Sequence, residues 1–268
     1  MKLPAVAVRI TILSFLVAGD VALATEGTLV VTGDTRLEED HRGSIAIDAD
    51  GVTLDCDGRL VNGEGLTGEE LLIGIVVDDR QDVTISNCHI SNFDIGISLF
   101  LAGNCHVTGN KLKFNRDGLD IDSTGGCTVE KNSFRDNQRH GILCSESAGS
   151  TFSDNVTTSN GGHGILLSNC LSGVLIQNYA KHNGRSGFLI EFLSDRNLFW
   201  KNIARDNNGA GFFHENSNEN IYLENKASGN VNYDAMIDLE SEPSWFNLFV
   251  NNDFGRTFQL HRVIQHEE

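Results

Sequence analysis

Proline is close to absent from this chain, with only Pro243 beyond the N-terminal segment, and basic residues are scarce: 20 Lys and Arg stand against 37 Asp and Glu. The net charge of −17 argues against binding nucleic acid or an anionic bilayer, since both hold proteins through Lys and Arg that displace counterions. It also makes an anionic polysaccharide an awkward partner, unless the basic residues are gathered in one place or a divalent cation bridges the two. Long apolar runs are missing as well, with one exception. Lys2 and Arg9 lead into the run Ile10 to Ala18, and Ala22-Leu-Ala follows. That layout predicts a secretory signal peptide over residues 1–24, cut after Ala24 and not followed by a lipid-accepting Cys. The run is shorter than the ~20 residues a bilayer requires, and no later stretch reaches that length. The expected product is a secreted or periplasmic chain with 18 basic and 36 acidic residues, a net charge of −18.

Glycine and asparagine, by contrast, recur with a period. Gly74-Ile-Val-Val, Gly96-Ile-Ser-Leu, Gly118-Leu-Asp-Ile, Gly141-Ile-Leu-Cys, Gly164-Ile-Leu-Leu, Gly187-Phe-Leu-Ile and Gly211-Phe-Phe-His return every 22 to 24 residues, and a degenerate Ala235-Met-Ile-Asp follows. The residues after each glycine alternate, which is the period-two signature of a strand with one buried face. The inward column is expected to run Ile75, Ile97, Leu119, Ile142, Ile165, Phe188, Phe212, Met236. A second strand follows about ten residues later in each repeat. It ends at an asparagine (Asn87, Asn110, Asn132, Asn155, Asn178, Asn202, Asn225), and another series (Asn92, Asn115, Asn137, Asn160, Asn183, Asn207, Asn230) closes each repeat. Both series read as structural ladders, because asparagine tolerates left-handed backbone and stacked amides satisfy one another.

Repeats this short, rich in Asn and Gly and nearly free of Pro, leave no room for a pair of helices. The expected fold is all-β: a single-stranded parallel β-helix, a solenoid of about nine coils and ~40 Å long, over residues 44–255. Residues 25–43 are expected to cap the N-terminal end and residues 256–268 to form a C-terminal tail, since an open solenoid must cover its edge strands.

Six cysteines in an exported protein invite disulfides. Cys105 and Cys127 each lie nine residues after their glycine, so stacking at ~4.8 Å would bring them within disulfide reach. Cys56 and Cys88, from neighbouring coils, form the second candidate pair. Cys144 and Cys170 are expected to be free. The alternative is that all six are buried apolar thiols.

The coil pattern, with Gly51-Val-Thr-Leu-Asp-Cys-Asp-Gly ahead of the first regular repeat, resembles the pectin-lyase-like β-helix proteins, particularly those related to the copper-site maturation factor NosD. The resemblance covers nearly the whole mature chain and implies a right-handed coil. It leaves function open, because the same coil carries lyases, epimerases, hydrolases and non-catalytic members.

The sharpest polar constellation lies before three successive glycines: Asp117, His140 and His163, expected as a line on the outer surface. Asp120 and Asp122 join them from the same strand as Asp117. Crowded carboxylates raise one another's pKa and can exchange protons with an imidazole, the material of general acid–base chemistry. Asn115-Arg-Asp-Gly-Leu-Asp and Gly162-His-Gly resemble segments of the polygalacturonase-type glycoside hydrolases. The second carboxylate pair of that family is missing, however: Asp136-Asn137 and Arg139-His140 stand in its place, and no Arg-Ile-Lys follows. The Asp-Pro-His-Asp motif of the mannuronan epimerases is absent too. A lyase or epimerase needs less. His140 or His163 could act as base, Arg116, Arg139 or Arg185 could meet a uronate, and Asp120 with Asp122 could hold Ca²⁺. The line Asp117, His140, His163 is also a candidate for Cu, Zn or Ni.

An outward apolar column, Leu143, Leu166, Leu189, Phe213, Ile237, is expected to be covered by the tail (Phe258, Leu260, Val263) or by a second copy in a homo-oligomer, or else to serve as a platform for sugars. His214 and Asp238, read as one inward column, suggest a polar, partly open last coil.

The expected function is therefore binding or modification of an extracellular, uronate-containing polysaccharide, with Asp117, Asp120, Asp122, His140 and His163 at the site. The competing class is a non-catalytic, NosD-like periplasmic accessory or scaffold protein.

Overall fold

The computed structural model describes residues 25–66, 71–238 and 247–258 and the strand Ile264–His266. The signal-peptide segment, Leu260 and Val263 lie outside the described residues. Every strand belongs to one of three parallel sheets of eleven strands, visited in the fixed order first, second, third sheet. One visit to all three is one coil, so the described residues make eleven coils, numbered here from Thr25. Coils 2 to 10 are the nine expected. Of the two additional coils, one comes from residues expected to cap the β-helix, Thr25–Glu26, Leu29–Val31 and Thr35–Arg36, and the other joins Asp253–Phe254, at the end of the expected β-helix, to Thr257–Phe258 and Ile264–His266 of the expected tail.

The second sheet carries the glycine repeat and has the longest strands, such as Asp117–Asp122. Its residues alternate in and out as the period demands: Leu119 and Ile121 are buried, while Asp120 and Asp122 face outward and are partly exposed. The glycine is required by the close approach of the next coil. A Cβ on Gly141 would stand 2.6 Å from the Gly164 carbonyl oxygen and 3.0 Å from Thr157 Cγ2. In coil 10 the register pairs Phe212 with Ala235, Phe213 with Met236 and His214 with Ile237. The inward column therefore ends at Ala235, not Met236. Ile237 leaves the outward apolar column for the core, at 1% exposure, and Met236 replaces it. His214 is followed by Ile237, not Asp238, and the coil around it is closed. The buried ring of His214 accepts the Tyr222 hydroxyl at Nδ1 (2.9 Å) and donates from Nε2 to the Ser217 carbonyl (2.6 Å).

The asparagine ladders exist, and their geometry explains the choice of residue. Asn132 donates from its backbone N and from Nδ2 to Asn155 Oδ1 (3.0 and 3.1 Å), and Asn155 does the same to Asn178 (3.1 and 3.0 Å). The left-handed residue of each turn is usually the one before the ladder asparagine, as at Lys131, Asp154 and Gln177. Stacked amides, more than left-handed backbone, select Asn here. Asn87 and Asn92 occupy left-handed positions themselves, so the ladders begin one coil later. Cys88 and Phe93 take those inward slots, donating their backbone N–H to Asn110 and Asn115.

Cys56 and Cys88 are joined, with Cα atoms 4.7 Å apart. The other expected pair is not. Cys105 and Cys127 are free and buried, while Cys144 and Cys170, expected to be free, are bridged across the interior at a Cα distance of 6.5 Å. The reason is a further ladder: the Cys127 sulfur accepts the Cys105 backbone N–H (3.2 Å), as Ser150 Oγ accepts that of Cys127 (3.3 Å). Each thiol also turns back to the carbonyl two residues earlier in its own turn. Thiol titration checks this directly: native protein should react with no equivalents of a disulfide reagent, and unfolded, unreduced protein with two. No thiol on unfolding would mean that Cys105 and Cys127 are bridged after all.

Candidate functional site

Asp117, His140 and His163 are one coil apart, at the corner between the first and second sheets, but they are not on the outer surface. All three are buried, at 3%, 8% and 6% exposure, and they form another hydrogen-bond ladder. Asp117 Oδ1 accepts the His140 N–H, His140 Nδ1 accepts the His163 N–H, and His163 Nδ1 accepts the Ser186 N–H, at 3.1, 3.1 and 3.2 Å. Ser186 Oγ continues the series to Ala210 N. An imidazole that accepts at Nδ1 carries its proton on Nε2, so both rings are neutral and stack 5.4 Å apart at an interplanar angle of 14°. Burial, reinforced by His140 and Arg185, pushes His163 down to about 3. Burial also lowers His140, against the pull of Asp117.

Neutral buried imidazoles make the fold acid-sensitive. The folded pKa of His163 (about 3) and of the fully buried His214 (about 4) lie below the ordinary value of 6.5. Their contribution is therefore present above about pH 6.5 and is lost as pH falls toward the folded values. Thermal melts should show Tm falling between pH 6.5 and 4. A flat profile over that window would contradict the neutral ladder.

Asp117 is fully engaged. Its Oδ2 meets Arg139 Nη1 at 3.3 Å and Arg116 Nε at 3.6 Å, and Arg116 also reaches Asp94 at 3.4 Å. Arg116 and Arg139 follow one another at the same corner, and Arg185 lies two coils beyond Arg139 with Gly162 between, as the backbone bonds Arg139 N to Arg116 O and Arg185 N to Gly162 O show. Arg185 bears electrostatically on both histidines. The corner is thus an arginine rim above a buried Asp–His–His column.

Asp120 is different. It stands on the outer face of the second sheet, in register with Ser98 and Leu143. Its Oδ1 is buried without a hydrogen-bond partner. Burial, then the carboxylates of Asp122 and Asp117, raise its pKa to about 6, opposed by Arg139 and Arg116. Asp122 accepts the Ser123 hydroxyl (3.1 Å) and is stacked in register on Phe100. The Phe100 ring is 40% exposed, and reading the sequence alone did not single it out. The signal was available: it occupies the outward position two residues beyond Ser98 in the Gly96 repeat, where the neighbouring coils place Asp78 and Asp122.

The apolar column is less of a stripe than expected, because Leu166 and Leu189 are only 7% and 6% exposed. Phe258 does not lie across the column but extends it, pairing in register with Met236.

Metal binding finds weak support in the donors. Among the described residues no group of three His, Cys, Asp or Glu could hold an ion. Asp120 and Asp122 offer calcium two carboxylates, well short of its usual six to eight oxygens. The parallel rings of His140 and His163 each commit Nδ1 to backbone, so the histidine column does not fit copper.

Comparison with known proteins identifies the fold independently. No curated protein sequence matches. Among solved structures, a double-mutant form of the periplasmic alginate epimerase AlgG aligns with a TM-score of 0.65 at 18% identity, over 85% of this chain and 62% of that one. The A-module of the Azotobacter vinelandii mannuronan C-5 epimerase AlgE6 aligns at 0.67 and 14%, over 89% and 71%. The Dettilon tailspike protein aligns at 0.65 and 12%, over 85% and 50%. These likenesses show the right-handed parallel β-helix, and the chain spans about three fifths of the length of the AlgG structure. A family model described as "Periplasmic copper-binding protein (NosD)" matches residues 32–204, which take in the arginine rim, the histidine column, Asp120 and Asp122. The chain belongs to the NosD family.

Proposed function

We propose that this chain is an exported, periplasmic or secreted, protein that binds a uronate-containing polysaccharide across the second sheet and exchanges the proton at C5 of the uronate through Asp120. The observation that carries the reading is Asp120 itself. It is a carboxyl with an unpartnered oxygen, raised to about 6, set between an arginine rim and the exposed Phe100 ring. A group with that pKa is divided between base and acid near neutral pH, which suits one residue that both removes and returns a proton. In elimination, Asp120 takes the C5 proton, the C4–O bond breaks as C4=C5 forms, and the carboxyl hands the proton to the departing oxygen. In epimerisation, Asp120 takes the C5 proton, a water molecule on the opposite face donates a proton to C5, and Asp120 then releases its proton to the resulting hydroxide. Arg116 and Arg139 neutralise the sugar carboxylate and the negative charge that grows on it as C5 loses its proton. Phe100 provides a face on which a sugar ring can stack. Asp117, His140 and His163 are positioning residues in this reading, holding the rim by their ladder.

A screen of alginate, polygalacturonate and related polyuronates for the ultraviolet absorbance of unsaturated products, combined with NMR of uronate epimers, tests the proposal. Turnover of one substrate, lost in Asp120→Asn, is expected. If no polymer yields either product, the catalytic reading fails.

The family match favours a second reading, a periplasmic accessory protein that binds partners on its outer columns and performs no chemistry. In that case Asp120→Asn leaves partner binding intact and no uronate is altered.

A further inference from the structure

The three sheets divide the charge of the chain unequally. Strands of the second sheet contain no Lys or Arg and include Asp78, Asp117, Asp120, Asp122, Glu191 and Glu215. Strands of the first sheet carry Arg42, paired with Glu26 at one end, and Asp253 at the other, and between them gather six further cations, Lys111, Lys113, Arg135, Lys181, Arg205 and Lys226. Because the strands pair in register, these cations form columns along the solenoid. Lys113, Arg135, Thr158, Lys181 and Arg205 follow one another coil by coil. In the neighbouring column, Val156, Tyr179, Ile203 and Lys226 do the same. All six cations project outward, and Val156 and Ile203 are 38% and 37% exposed. Lys111, Lys113, Lys181 and Lys226 have no ion-pair partner among the described residues, while Arg135 and Arg205 contact only the aspartate next in sequence. Burial, and then Lys111 and Lys113, push His89 on the same face below its ordinary value, as a positive local field requires.

We infer that the outer face of the first sheet is a second binding surface, which holds a linear anionic polysaccharide along the solenoid axis. Cations on five of six successive coils, interrupted at Thr158, make a strip ~24 Å long at ~4.8 Å per coil, flanked in its later coils by an apolar ledge on which sugar rings can lie. Strip geometry is what selects the occupant. A single polymer chain can stay on a surface one short strand wide, whereas a bilayer is a plane that would also meet the acidic flanks of a protein with net charge −17. Gathering the basic residues on one face resolves the conflict between that net charge and an anionic ligand. This surface is separate from the site at Asp120 and does not depend on any reaction there.

The test is binding of the mature protein to immobilised alginate and polygalacturonate at low and raised salt. It compares wild type, Lys113→Glu/Lys181→Glu and the charge-matched control Arg36→Glu/Arg196→Glu. Circular dichroism confirms that each variant is folded. Wild-type binding should weaken with salt, the Lys113/Lys181 variant should bind at least tenfold more weakly, and the control should stay within twofold of wild type. Equal loss in both double variants would reduce the effect to overall charge and overturn the proposal. So would undiminished binding of Lys113→Glu/Lys181→Glu. Binding to phosphatidylglycerol vesicles without binding to either polymer would assign the face to a membrane instead. Binding without turnover leaves this surface standing while the catalytic reading falls, so the two failures are distinguishable.

Discussion

Replacing Asn155 by Leu is expected to lower stability by about 4 kcal/mol, because a buried polar group left without a partner costs about 1–3 kcal/mol and this substitution orphans several. Asn155 Oδ1 accepts from both the backbone and the side chain of Asn132, and its Nδ2 donates to the Val129 carbonyl (2.8 Å) and to Asn178 Oδ1 (3.0 Å). Leu fills the volume and supplies none of these bonds. Water cannot substitute, since Asn132, Asn155 and Asn178 are at most 1% exposed. Because each coil touches only its neighbours, a break at coil 7 divides the solenoid near its middle instead of fraying an end. Asp154→Asn, one residue earlier at an exposed left-handed position, should stay within about 0.5 kcal/mol of wild type. Urea midpoints for the two variants check this, and equal midpoints would mean that the ladder contributes little.

Asp120→Asn is expected to reduce C5 proton exchange by about 10²–10⁴-fold, the usual contribution of one positioned acid–base group. The same substitution should make the protein more stable at pH 7. The folded pKa of Asp120 is raised from 3.8 to about 6, so its ionised form is disfavoured on folding and weakens the fold as pH rises through that interval. Removing the charge should recover about 1–2 kcal/mol at pH 7, allowing for the partial exposure of the residue, and the gain should vanish below about pH 4. Activity of the wild type should rise with pH through about 6 as the base form appears. Loss of activity with a gain in stability separates a functional carboxylate from a structural one, whose removal would lower both.

How much of this could be read from the sequence follows from the length of the signal. The second sheet has the repeat's glycine and up to six alternating residues per strand, and its inward columns were legible until the glycine disappeared at Asp234. There the register slipped by one, sending Ile237 inward. The first sheet was nearly invisible. Its strands are three residues long with one buried residue each, such as Leu112, Phe134 or Ala180, too short to show a period. For that reason the gathering of cations on one face could not be foreseen. The cysteine pattern holds for Cys56 and Cys88 but misleads for the other four, because stacking one coil apart makes the Cys127 sulfur a ladder acceptor for Cys105 N–H, while Cys144 and Cys170 meet from different positions of adjacent coils. At the candidate site the residues were found but their roles were not. A polar residue before a glycine suggests solvent, and nothing in the sequence reveals that the Asp–His–His column hydrogen-bonds the next coil's backbone. Asp120 stood out only once its unpartnered oxygen and the two flanking arginines could be seen.

The most direct measurement is deuterium incorporation at C5 of a polyuronate incubated with the protein in D₂O, followed by NMR, because both elimination and epimerisation begin with loss of that proton. The account predicts loss of the C5 proton signal, with either deuterium at C5 or a new H4 signal of the unsaturated product, with wild type and not with Asp120→Asn. Full retention of the C5 proton across the polyuronates, by protein shown to bind them, would contradict it.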